Sequence, residues 1–163
     1  MDKRMSIIGI TFHMVLLIWL ILFKLAIHPA EVPAVRDLNL VLLRNSNYLN
    51  GNMNYIELLF NILIFIPVGI YLSILKPEWK GWQKILIVFF TSLSFETIQY
   101  AAAIGYTDIT DLMNNTAGGA AGIGIFKLLN RWWKEKTVKI LNIGILVAEI
   151  LAVSLFFIYR MKT

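Results

Sequence analysis

Cysteine is absent from this chain of 163 residues. That excludes disulfides, thiolate metal sites, a cysteine nucleophile and a thiol for lipid attachment, and it leaves the redox compartment unread. Charge is scarce as well: charged residues make up only 15% of the chain against 58% hydrophobic residues, and the mean hydropathy is +0.70. A soluble domain carries about 25% charged residues, so water is not the solvent this composition suits. A glycine-rich phosphate loop, an HExxH pair and a workable Ser/His/Asp order are also missing, which leaves nucleophilic and zinc chemistry without support. No internal repeat and no second domain can be read, so residues 1–163 are taken as one domain. The missing repeat weighs against the paired-repeat architecture of many transporters, although a dimer can supply symmetry.

What fills the chain instead is a series of apolar runs, each long enough as a helix to cover the roughly 30 Å of a bilayer's hydrocarbon. Spans are predicted at 6–27, 55–75, 84–104, 109–129 and 138–159, with an external segment at 28–54. The fold class is therefore all-α, a polytopic integral membrane bundle of about five helices. Lys3 and Arg4 precede the first run as the n-region of a signal peptide does. That run exceeds the ~7–15 residues of an h-region and is expected to stay attached. The connections "KPEWKGWQ" and "NRWWKEKT" set Trp beside Lys or Arg, as anchors at a membrane interface do.

Orientation follows from the 15 basic residues. With the N-terminus inside, Lys3, Arg4, Lys76, Lys80, Lys84, Lys127, Arg131, Lys134, Lys136 and Lys139 are cytoplasmic, whereas Lys24, Arg36, Arg44, Arg160 and Lys162 are outside. The positive-inside rule favours N-in and C-out. The net charge of +5 and the pI near 9.5 then reflect topology and contacts with anionic membrane lipid, and no nucleic-acid partner is expected.

The informative residues are the polar ones inside these spans. The stretch "FETIQYAAAIGYTDITDLMNN", residues 95–115, holds Glu96, Asp108 and Asp111 beside Gln99, Asn114 and Asn115. Glu96 and Gln99 share a helix face by their i, i+3 spacing, and Glu57 and Asn61 share one by i, i+4. Both sets fall in the outer half of their spans. Asp108 reads as the N-cap of the fourth helix with Asp111 three positions on, both suited to the positive end of the helix dipole. Asp111 and Asn115 then share a face with Gly118 and Gly122, whose spacing lets that helix approach a neighbour closely.

An Asp at the centre of a membrane helix costs roughly 2.5–3.5 kcal/mol, so several acids at one depth are expected to face one another around a polar pocket that opens outward. The amides can equally be hydrogen-bond glue between helices, at about 0.6 kcal/mol each. For Asp108 capping alone is a sufficient role. Lys24, Arg36 and Arg44 are the candidate cationic partners of the acids. The carboxylates offer oxygen ligands but no spacing that fixes a coordination number, so neither a metal nor a cofactor is expected. Pro67 and Gly69 read as a kink or loosening of the second helix. His13 is expected to be packed in the interior, and His28 to lie at the outer boundary.

The run "NILIFIPVGIYL", followed by "SFETIQYAAAIGYTDITDLMNNTAGGAAG", resembles the VanZ-like family of bacterial membrane proteins over most of the chain. The resemblance rests on ordered elements: an Asn before Phe-x-Pro-x-Gly, a Glu-x-x-Gln, an Asp-x-x-Asp and an Asn-Thr-x-Gly-Gly. It implies a multi-pass protein of the bacterial cell membrane whose polar positions fall here on Asn61, Glu96, Gln99, Asp108, Asp111 and Asn115. Many relatives carry an Arg just before the first Asp of the fourth-helix motif and an Asp two residues after it. This chain has "GYTDITD", with Tyr106 and Thr110, and so lacks that built-in basic partner. The "TDITD" and "IWLILFKL" runs are similar to the member of the family associated with teicoplanin resistance. Two classes of function stay open: a module that binds a lipid-linked molecule such as teicoplanin or a cell-wall precursor, and an intramembrane acid/base enzyme or small transporter.

Overall fold

The computed structural model describes residues 2–23, 25–27, 29–32, 34–42, 48–49, 52–53 and 55–162. Helix α1 (Asp2–Leu17) runs into a π-helical turn, Ile18–Leu22. The expected helix to residue 27 is shortened because Leu25 takes a left-handed backbone, φ 62°. Its N–H reaches back to the Trp19 carbonyl at 3.2 Å, and the Trp19 indole donates to the Ala26 carbonyl at 3.0 Å. Carbonyls at the helix end are thus met within the chain. A short 3₁₀ turn (Pro29–Glu31), strand β1 (Val35–Asn39) and a small hairpin of β2 (Tyr48–Leu49) and β3 (Asn52–Met53) lead to α2 (Tyr55–Leu75). The bounds of α2 are the ones predicted.

Helix α3 (Gly81–Ala102) starts where the Gln83 side chain accepts the Lys80 backbone N–H at 2.8 Å. It ends two residues before the predicted boundary. Ala103 turns left-handed, φ 55°, and residues Ile104–Asp108 form strand β4, parallel to β1 in the register Val35↔Ile104 to Asn39↔Asp108. Ile, Tyr and Thr are good strand formers, and the ladder gives the chain's backbone groups partners between two helices. Two strand pairs therefore accompany a bundle that is otherwise helical. Helix α4 (Ile109–Trp133) follows at once and α5 (Lys136–Arg160) closes the chain.

The segments Lys3–Leu22, Tyr55–Leu75, Gly81–Ala102 and Lys136–Arg160 are long and apolar enough to cross a membrane. Helix α4 is long enough but richer in Gly, Asn and Thr, and it is packed against α2 and α3 along its length. A Cβ built on Gly118 would overlap the Ile62 carbonyl oxygen, and one on Gly122 that of Ile66. The two backbones thus lie against each other as the Gly118/Gly122 spacing predicted. Both pairings advance together, so α2 and α4 run parallel.

Helices α1 and α5 are also parallel. Ser6 and Asn142 exchange hydrogen bonds of 3.1 and 2.9 Å, and His13 meets Glu149 at 2.7 Å. Trp19 then packs edge-on against Phe156, with ring centroids 5.2 Å apart. A core of Leu17, Leu22, Phe65, Val68, Val88 and Phe95 joins α1, α2 and α3. Above it, toward the strands, the polar residues gather.

Candidate functional site

Six of the predicted residues line one cavity of about 230 Å³: Glu57 and Asn61 from α2, Glu96 and Gln99 from α3, Asp111 and Asn115 from α4. Its remaining walls are apolar, from Leu20, Ile21 and Leu25 at the end of α1 and from Phe60 and Ile64 on α2. Helix periodicity makes this possible. Each pair sits one turn apart on its own helix, near the end of the bundle that carries the strands, and the close α2/α4 contact draws the two pairs together.

The polar groups are held by specific bonds. Asn61 Nδ2 donates to Asp111 Oδ1 at 2.6 Å, which ties α2 to α4 across the cavity. Gln99 Nε2 donates to the Ile21 carbonyl at 2.9 Å, inside the π-helical turn of α1. Asn115 Nδ2 donates to Ser92 Oγ at 2.9 Å, while its own Oδ1 is buried with no hydrogen-bond partner among the described residues. Ser92 was not singled out in the sequence; only its two-turn spacing from Gln99 hints at the same face.

Glu96 is 4% exposed, the most buried acid on the cavity wall. Its Oε2 accepts the Asp108 backbone N–H at 3.0 Å, and its own carbonyl accepts the Thr107 hydroxyl at 3.1 Å. The carboxylate is thereby fastened to the β4–α4 junction. Asp108 is the N-cap expected: Oδ1 accepts the Thr110 N–H at 2.7 Å, and Oδ2 accepts Asn39 Nδ2 at 3.0 Å, joining β1 to the start of α4. Asp108 is buried beside the cavity and does not line it. Charge-assisted bonds of this kind are about twice as strong as neutral ones, which makes this junction a firm base for Glu96.

The proposed cationic partners are placed differently. Arg36 is exposed on β1, where the register with Gly105 carries its guanidinium to the end of α3. Nη2 donates to the Ala101 carbonyl at 3.1 Å, and the group lies 5.5 Å from the Tyr100 ring centroid. A cation at a helix C-terminus meets the negative end of the dipole, and this position is outside the cavity. Lys24, Arg44 and His28 lie outside the described residues.

A second buried polar cluster was missed. His13 is packed, as expected, but through Glu149 of α5, which was not singled out. Its Nε2 contacts the Ile64 carbonyl at 3.0 Å and its Nδ1 meets Glu149 Oε1 at 2.7 Å. A carbonyl only accepts, so Nε2 carries a proton, and the short Nδ1 contact requires exactly one more between histidine and carboxylate. The pair is neutral overall whichever atom holds that proton. The signal was available: an acid inside an apolar span, seven residues after Asn142 as His13 is seven after Ser6.

Comparison with known proteins bears on the whole arrangement. The family model described as VanZ/LLP1 matches residues 10–130, which include every residue lining the cavity. Protein VanZ of Enterococcus faecium is 36% identical over 155 residues, covering 94% of this chain and 94% of that protein. No solved structure matches. The apolar helices, the close α2/α4 contact and the ordered polar positions on three helices are therefore those of a membrane protein that belongs to the VanZ/LLP1 family.

Proposed function

We propose that this protein protects a bacterium against lipoglycopeptide antibiotics of the teicoplanin type by binding a lipid-linked ligand in the polar cavity, which opens toward the outer face of the cell membrane. The observation that carries the reading is the convergence of Glu57, Asn61, Glu96, Gln99, Asp111 and Asn115 on one cavity with apolar walls. Few polar groups in an apolar frame suit an amphiphile: the polar atoms orient its head and the frame accepts its hydrocarbon. The resemblance of "TDITD" and "IWLILFKL" to the family member associated with teicoplanin resistance supports the resistance phenotype. Binding of the drug itself, or of a lipid-linked cell-wall precursor, reduces the drug's hold on its target in either case.

The test is a set of inhibitory concentrations in a susceptible Gram-positive host, for teicoplanin, its deacylated form and vancomycin. The expected result is protection that is largest for teicoplanin, because an acyl tail contributes ~0.8 kcal/mol per buried methylene to membrane partitioning and concentrates its carrier at the cavity. Asp111→Asn at matched membrane level is expected to lose most of that protection. Equal protection against all three compounds contradicts capture of the acylated drug and favours altered precursors.

One observation favours the second reading, an intramembrane enzyme or small transporter acting on a cell-wall lipid precursor. Glu96 is a buried carboxylate held rigidly at its cavity, the placement a proton-handling group needs. Turnover of a lipid-linked precursor by the purified protein, lost in Glu96→Gln, would establish that reading instead.

A further inference from the structure

The polar cavity has a neighbour. Leu20, Leu25, Phe60 and Ile64 line it and also line a second hollow, of about 560 Å³, between α1, α2 and α5. The other walls of this cleft are almost entirely apolar, among them Trp19, Leu63, Pro67, Ile145, Ala152 and Phe156. Its volume is within the ~300–1,000 Å³ of ordinary ligand pockets.

The hollow exists because α5 is fastened to α1 and not to the adjoining stretch of α2. The Ser6–Asn142, His13–Glu149 and Trp19–Phe156 contacts hold it along α1. Nearer its start, Ile145 packs on the cluster of Ile70, Tyr71 and Ile74. Beyond that point α5 presents Ala148 and Ala152 to the cleft, side chains too short to fill it. The titratable groups on its wall are His13 and Glu149, 4% and 9% exposed, bonded to each other in a pair that is neutral overall. Their charges compensate within the pair, while Glu149 Oε2, buried with no hydrogen-bond partner among the described residues, is a local polar point on an otherwise apolar wall.

We infer that this cleft holds the acyl chain of the lipid-linked ligand whose head occupies the polar cavity. The inference rests on the binding reading given above and names the part of the ligand that reading leaves unplaced. A head bound among the carboxylates and amides delivers its own chain across the four shared residues at high effective concentration, which a free membrane lipid does not enjoy. Lipid tails are as apolar as the cleft, so the selectivity comes from this tethering and from packing, not from dehydration.

The experiment uses the full chain in lipid nanodiscs, with teicoplanin and its deacylated form as probes. Ala152→Phe fills the cleft from α5 without touching the polar cavity. It is expected to weaken teicoplanin binding at least about tenfold and to leave the deacylated form unchanged. Leu151→Phe, at a neighbouring exposed position outside the cleft, is expected to change neither. Ala152→Leu gives the same contrast if the larger residue lowers the thermal stability. Unchanged teicoplanin binding in Ala152→Phe, with loss in Asp111→Asn, overturns the chain assignment and leaves the head reading standing. Equal weakening of both probes by the cleft-filling variants also overturns it, since the cleft then acts through the fold. If Asp111→Asn alters neither probe, the head reading fails and the chain assignment falls with it.

Discussion

Glu96 separates a role in glue from a role in function more sharply than any other residue. Its carboxylate accepts a backbone N–H that an amide oxygen would accept equally well, so that bond does not require the charge. Glu96→Gln is expected to keep membrane abundance and melting temperature while losing protection; a parallel loss of folded protein would return Glu96 to the structural class. His13 and Glu149 make the opposite case. Removing one member of a buried pair strands its partner, so Glu149→Ala is expected to cost about 3–5 kcal/mol in thermal or denaturant unfolding, whereas the double change His13→Leu with Glu149→Leu is expected to be near neutral. If the single and double variants prove equally destabilised, the pair is not coupled as drawn. The local roles at this scale were legible: Asp108 as an N-cap follows from sequence spacing alone. The bonds from Gln99 to the Ile21 carbonyl and from Asn115 to Ser92 were not, because they depend on which helix faces meet.

At the scale of elements, the pairing of α2 with α4 draws the cavity together. The small residues of α4 made that contact readable, since only glycine leaves room for a neighbouring carbonyl at Gly118 and Gly122. Gly118→Leu is expected to push the helices apart, with a loss of roughly 1–3 kcal/mol or more and a lowered melting temperature in detergent. Unaltered stability would mean that the helices do not touch there. The strands were not readable. "IGYTD" reads as a short connection between two spans, and its partner β1 lies in a polar segment sixty-nine residues earlier in the register Val35↔Ile104. A parallel ladder needs a long crossover, here α2 and α3, and no local pattern announces such a pairing. The π-helical turn of α1 was hidden for the same reason: its end is set by the Trp19 indole reaching Ala26.

For the molecule as a whole, the parallel course of α1 and α5 puts the end of the chain beside the segment that follows α1. Arg160 pairs with Glu31 at 2.7 Å, linking the two directly. On the proposed N-in, C-out reading of the basic residues, that side faces the exterior. A reporter active only in the cytoplasm, fused after Thr163, is expected to be silent; a bright signal there would reverse the sidedness of the cavity. The absence of cysteine offers the most direct test of an outward-opening polar cavity, because a single introduced thiol is the only one present. Phe60 lines the cavity, and Leu59 is its exposed neighbour on α2 outside it. A thiol reacts with a maleimide as the thiolate, which forms in a hydrated polar cavity and not in hydrocarbon. In intact cells, a membrane-impermeant maleimide is predicted to label Phe60→Cys, to label Leu59→Cys far less, and to be blocked at Phe60→Cys by prior addition of teicoplanin. Labelling of Phe60→Cys only after the membrane is permeabilised would contradict an outward-opening cavity.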